Sequence, residues 1–180
     1  MKNMILTELG RVKRPGMDEL MKFLVASDYF SAPASRGHHL NVPGGLANHH
    51  WGVYRALLDL RLPLTLDAPL DSIRICALLH DLCKVNFFKV MNTGMSADMG
   101  GVIITIDDQE PLGHGEKSVI VLQRYIKLTT DEALAIRWHM GAWDAAGDTA
   151  RRCLNQALDR CALLRGLMLA DQMATFKESH

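Results

Sequence analysis

Six side chains in this 180-residue sequence carry the chemistry of a metal centre: His49, the adjacent pair His80 and Asp81, His114, His139 and Asp171. Successive members are separated by roughly 25–33 residues, about one helix plus one connection, so consecutive helices of a bundle can each deliver a ligand to a common point. Three of the positions fall on apolar faces. His49 is three after Leu46 and four before Val53, His80 follows Ala77 by three and Cys76 by four, and Asp171 follows Met168 by three and Leu167 by four. A buried imidazole or carboxylate without a partner is costly, and a bound cation is one remedy. Neighbours on a helix point about 100° apart, so a cation between the directions of His80 and Asp81 can be held by both. Mixed nitrogen and oxygen donors suit manganese, iron, cobalt, nickel or zinc better than calcium.

A lone histidine on an apolar face is usually a satisfied core residue, and a lone His-Asp dipeptide says little. Six such positions spread about one element apart reverse that reading. His50 competes with His49 on spacing alone, since it is four after Leu46 and three before Val53.

The elements that must position these groups are mostly helical. Leu20, Phe23 and Leu24 define a helix over 17–26, a second runs over 46–60, and a third opens at Pro69 and Asp71 and runs to about Lys84. Between Asn86 and Asp108 the period changes. Phe87, Phe88 and Val90, then 102–106, are β-favouring runs joined by a stretch with Gly94, Gly100 and Gly101, which predicts a hairpin. Helix returns over 115–126. Thr129 and Glu132 have the form of a capping box opening a helix to about Met140. The stretch 151–177 reads as one long helix or two abutting ones. The expectation is one all-α domain, 1–180, with a small β-hairpin excursion at about 86–108.

Composition narrows the function classes. Twenty basic and twenty acidic residues leave a formal charge of zero, so no global field draws the chain to nucleic acid or anionic lipid. No apolar run reaches the ~20 residues of a membrane span. Residues 1–16 lack a small-residue cleavage site, and the four cysteines form no Cys-x-x-Cys pair. A cytoplasmic protein with reduced thiols is expected.

The segments Pro43-Gly44-Gly45-Leu46-Ala47-Asn48-His49, Leu78-Leu79-His80-Asp81-Leu82-Cys83-Lys84 and Leu169-Ala170-Asp171 resemble the HD-domain metal-dependent phosphohydrolase superfamily in content and order. The stretches 113–118 and 138–141, with His114 and His139, resemble its branch of two-metal phosphodiesterases and the HD domain of bacterial 3′-5′ exoribonucleases. The resemblance implies an HD-domain helical bundle, with one or two divalent ions drawn from Mn, Fe, Co, Ni, Mg and Zn. It places His49, His80, Asp81 and Asp171 around a first ion, with Asp81 bridging to a second held by His114 and His139. Its Gly-Gly-Leu alignment selects His49 over His50. Cys83 stands where the superfamily often has glycine.

The implied reaction is hydrolysis of a phosphomonoester or phosphodiester, in a nucleotide or short oligonucleotide, by a metal-bound hydroxide oriented by Asp81. Lys84, one turn beyond Asp81, is the candidate to bind a phosphate oxygen or assist the leaving group. Lys117, three after His114, is a second candidate, and Arg36, His38 and His39 could form a cationic rim. Trp138 and Trp143 flank His139 and could stack on a base or pack in the core. The hairpin could be a lid. The expected partner is a small phosphorylated substrate, preferably a nucleotide; a long nucleic acid and a membrane are not expected, and a homodimer stays open. Two other functions fit the same donors: a di-iron oxygenase on the HD scaffold, and a non-catalytic nucleotide sensor.

Overall fold

The structure is a computed structural model and describes residues 1–37, 40–92 and 102–178. Among these, eight α-helices carry the fold: α1 (Lys2–Gly10), α2 (Met17–Ala26), α3 (Gly45–Leu60), α4 (Leu70–Leu79), α5 (His114–Gln123), α6 (Thr130–Trp138), α7 (Gly147–Arg160) and α8 (Ala162–Glu178). Between α4 and α5 lies an antiparallel pair, β1 (Phe88–Asn92) and β2 (Val102–Ile106), in the register Phe88 opposite Ile106. The all-α expectation with one hairpin near 86–108 therefore holds. The 93–101 connection lies outside the described residues.

Helices α3 and α8 form the central pair; α4 packs on α3, and α6 bridges α8 and α5. Leu46, Val53 and Leu57 of α3 face Leu163, Leu164, Leu167 and Ala170 of α8, and all are buried. Each fully buried leucine contributes about 1.5–3 kcal/mol from lost apolar contact with water. That packing holds the helices bearing His49 and Asp171 side by side.

Three boundaries differ from the sequence expectation, each for a local reason. Helix α4 stops at Leu79 rather than running to Lys84. The His80 ring Nδ1 takes Ala77 O at 3.2 Å, and the chain tightens into a 3₁₀ turn over Leu82–Lys84, ending at Asn86 with φ +53°. The stretch to 177 is two helices, one of the two forms expected of it, and the first begins at Gly147 rather than 151. Cys161 between them is extended, and its Sγ accepts the Leu164 N–H at 3.4 Å, capping α8. Helix α1 was not predicted; only Ile5 and Leu9 in it are buried, too sparse a stripe to mark it.

The capping box is present as expected. Thr129 Oγ1 accepts the Glu132 N–H at 3.2 Å, and Glu132 Oε2 accepts the Thr129 N–H at 2.8 Å. Glu132 does more than cap. It is fully buried and also receives Arg14 through two hydrogen bonds of 2.6 and 2.8 Å and the Ser72 hydroxyl at 2.7 Å. One carboxylate thus ties the segment before α2, helix α4 and helix α6 together. No described helix is long and apolar enough to cross a membrane.

Candidate metal centre

The fold brings all six proposed ligands to one end of the bundle. His49 lies in the second turn of α3, Asp171 in α8, and His114 opens α5. His80 and His139 occupy equivalent places, each the first residue past its helix, after α4 and α6. Both exploit that place in the same way. His80 Nδ1 meets Ala77 O at 3.2 Å and His139 Nδ1 meets Ile136 O at 2.7 Å. A carbonyl has no proton to give, so each Nδ1 carries a hydrogen and each ring turns its Nε2 toward the centre.

Those two nitrogens converge on Asp81. Its Oδ1 lies 3.2 Å from His139 Nε2 and 2.6 Å from His114 Nε2, while Oδ2 lies 3.8 Å from His80 Nε2. His80 Nε2 and His139 Nε2 are buried without a hydrogen-bond partner, while Asp81 Oδ1 faces both His139 and the His114 ring. Buried imidazole nitrogens left unpartnered beside a carboxylate are costly, and a bound cation is one remedy. On the other side, His49 Nε2 stands 3.0 Å from Asp171 Oδ1, and His80 Nε2 lies 4.0 Å from the same oxygen. Ligand atoms of His49, His80 and Asp171 lie within 4.8 Å of one another, as do those of Asp81, Cys83 and His114. The donor set therefore fits divalent ions, with Asp81 between two groups.

Backbone packing places His114. A Cβ on Gly115 would lie 2.1 Å from Arg137 O, so only glycine lets the first turn of α5 touch the end of α6. That contact sets the His114 and His139 rings 5.2 Å apart, centroid to centroid.

The charges follow from this crowding. Burial disfavours the charged form of every group here, and at His80 it outweighs the opposing Asp81 charge and pushes the ring down to about 3. Against burial, the nearby Asp81 charge raises His114 to about 11, and hydrogen bonds to Asp171 and Glu178 raise His49 to about 9. Against the same burial, Lys84 and His114 hold Asp81 well below the usual carboxylate range, and His49 brings Asp171 down to about 2. Lys84, its Nζ 2.6 Å from Asp81 Oδ2, is raised despite its burial. Both carboxylates are ionised at neutral pH, as ligands must be.

A cleft of about 460 Å³ opens onto the centre, lined by His49, Asp81, Lys84, His139, Asp171 and the aromatic rings of Trp143 and Phe176. Trp143 is 93% exposed and Phe176 66%. The two tryptophans thus part company. Trp138 is buried under the Arg137 guanidinium, 3.8 Å from the ring centre, while Trp143 stands at the mouth.

Lys117 is turned away from the centre. Its ammonium pairs with Asp108, sits 5.3 Å from the Phe87 ring centre, and lines a different cavity. Lys84 meets Asp81 although Asp81 precedes the 3₁₀ turn, whereas His114 and Lys117, both within α5, turn to different partners. Arg36 is exposed and does not line the cleft, and His38 and His39 lie outside the described residues. No described hairpin residue lines the cleft either, so the lid finds no support among them.

The sequence reading missed two features. Glu178 Oε2 meets His49 Nδ1 at 3.0 Å. Its spacing of seven from Asp171, two turns on one face, was the signal available. His50 is fully buried, its Nδ1 at 2.9 Å from the Tyr29 hydroxyl, which donates to Leu78 O at 2.6 Å. The tyrosine proton is thereby spent, so His50 Nδ1 donates and its bare Nε2, without a partner, joins the group near His80 and Asp81. Adjacency to His49 hid it, because either histidine satisfied the spacing.

Residues 46–175, most of the chain, match the HD domain family. The chain belongs to that family, a class of metal-dependent hydrolases whose members bind divalent ions. No curated protein and no solved structure matches it.

Proposed function

We propose that this chain hydrolyses a phosphoester of a small phosphorylated substrate, with a nucleotide as the substrate class, at the centre formed by His49, His80, Asp81, His114, His139 and Asp171. The observation that carries the reading is the convergence of the buried His80 and His139 Nε2 atoms, neither with a hydrogen-bond partner, on an ionised Asp81. Divalent ions bound there supply a water of lowered pKa and neutralise phosphoryl oxygens.

The chain's own residues supply the rest. Asp81 turns one oxygen to the His114–His139 side and the other to Lys84, so it can hold and orient the attacking water while remaining ionised. Lys84 lines the cleft beside the centre and is the one lysine there among the described residues, suited to a phosphate oxygen or the leaving group. Trp143 and Phe176 offer exposed aromatic faces at the mouth, where a base can stack. No aromatic face is needed for a bare phosphate, and this is what favours a nucleotide.

The test is phosphate release from nucleotides and from a phosphodiester dye, with Mn²⁺ and other divalent ions, alongside metal analysis of the purified protein. Divalent-dependent release that a chelator abolishes is expected. Bound iron with oxygen uptake and no phosphate release would replace this reading with the oxygenase one, and a nucleotide recovered unchanged after raising the melting temperature would replace it with the sensor one.

A further inference from the structure

His80 and His139 settle their outer nitrogens on carbonyls of their own helix ends, where carbonyls are left over. His49 has no such recourse. It lies inside α3, where backbone carbonyls are engaged in the helix, so its Nδ1 needs an acceptor from elsewhere. The last turn of α8 brings one: Glu178 places Oε2 at 3.0 Å and Oε1 at 3.3 Å from that nitrogen. The ring's other nitrogen faces Asp171 Oδ1 at 3.0 Å, so one helix holds both edges of an imidazole carried by another.

A second feature has been shaped around this contact. Gly52, three residues after His49 on α3, lies where a Cβ would come within 3.1 Å of Glu178 Oε1 and 3.5 Å of the Ala174 Cβ. The missing side chain is the space in which the carboxylate reaches the ring. Glu178 also lies beyond residue 175, where the family match ends.

We infer that Glu178 is a positioning residue for a divalent cation at His49: it accepts the Nδ1 proton, fixes Nε2 as the ligand nitrogen, and makes that nitrogen a stronger donor. Carboxylates behind metal-bound imidazoles act in this way, and their loss costs about 10–100-fold in metal affinity. The inference rests on reading the six-residue centre as a metal site.

Mn²⁺ titration of the full chain tests it, with free ion followed by its electron paramagnetic resonance signal and the melting temperature without Mn²⁺ reporting folding separately. Glu178→Ala is expected to bind Mn²⁺ about 10–100-fold more weakly. Glu178→Gln, which keeps an acceptor but not the charge, should fall between it and the wild type. Gly52→Ala should weaken binding although Glu178 is still present, and it carries the test if Glu178→Ala does not fold. Wild-type affinity in Glu178→Ala, or in both Glu178→Gln and Gly52→Ala, overturns the inference and leaves the metal centre standing. A wild-type chain that binds no Mn²⁺ or other divalent ion overturns both.

Discussion

Asp81 and His139 meet inside the bundle: the carboxylate Oδ1 stands 3.2 Å from a buried Nε2 whose ring donates its Nδ1–H to Ile136 O. That Nε2 has no hydrogen-bond partner, and His114 Nε2 reaches the same carboxylate oxygen at 2.6 Å. In a low-dielectric interior an unpartnered nitrogen is costly, and a cation held between it and the carboxylate relieves that cost.

That relationship sets the first prediction. Replacing His80 or Asp81 with alanine should remove divalent-ion binding and bring phosphoester hydrolysis to background, while helix content is kept. Saturating Mn²⁺ should raise the wild-type melting temperature, since an ion at 100 times its Kd adds about 2.7 kcal/mol to the folded state, and should leave both variants unmoved. Elemental analysis and thermal melts with and without the ion check it; near-normal turnover in either variant would sink the assignment.

Lys84 gives a result of a different kind. It pairs with Asp81 Oδ2 at 2.6 Å and lines the cleft, yet it cannot itself bind a cation. Lys84→Gln should therefore retain bound metal and lower kcat by about 10²–10³-fold, the usual cost of removing one group that neutralises transition-state charge. Metal content measured beside kcat separates the two effects. Loss of the ion in this variant would show that Lys84 serves only to hold Asp81.

Much of this centre was legible in the sequence because its spacing follows the helices. His49 and Asp171 sit within apolar stripes, and a polar residue there announces itself. His80 and His139 were found for a partly mistaken reason: both were read as helical, and both work because they lie just past a helix end, where a side chain can take a leftover carbonyl. Helix ends depend on such side-chain bonds, which a hydrophobic pattern does not register. Gly52 and the Tyr29–His50 pair were out of reach for another reason, since each matters through a contact between elements far apart in the chain, and Glu178 offered only its spacing of seven from Asp171. Lys117 was out of reach of a spacing rule because its ammonium is drawn to Asp108 and the Phe87 ring, contacts between segments that spacing does not register. The hairpin showed clearly as a change of period, but its relation to the site did not follow from its position after Asp81.

Trp143 separates substrate recognition from chemistry. Its ring is almost wholly exposed at the cleft mouth, so Trp143→Ala should leave the melting temperature unchanged. If the ring stacks on a base, the loss of about 1–3 kcal/mol should raise KM for nucleotides by roughly 5–150-fold. Hydrolysis of a simple alkyl phosphate, which has no base, should not change. Equal effects on both substrates would remove the nucleotide from the proposal and leave the hydrolysis.

The last prediction concerns the carboxylate that fastens the fold away from the metal. Burial works against ionised Glu132, but hydrogen bonds from Arg14, the Thr129 N–H and Ser72 prevail and hold its carboxyl below the ordinary value. A group depressed on folding adds stability that is complete above its unfolded pKa, about 4.3, and is lost as pH falls through the lower folded value. Glu132→Gln removes that buried charge and leaves the half-buried Arg14 without its hydrogen-bonded carboxylate, a loss of at most about 3–5 kcal/mol at pH 7, the cost of a broken buried pair. The gap between wild type and variant should therefore be widest near neutrality and shrink as the solution is acidified below pH 4, because the wild type then surrenders the same charge. Denaturant unfolding of both proteins from pH 7 to pH 3 measures the gap directly, and other carboxylates cancel because they titrate in both. A gap that stays constant across that range would mean that Glu132 contributes through packing and capping rather than through its ion pair with Arg14.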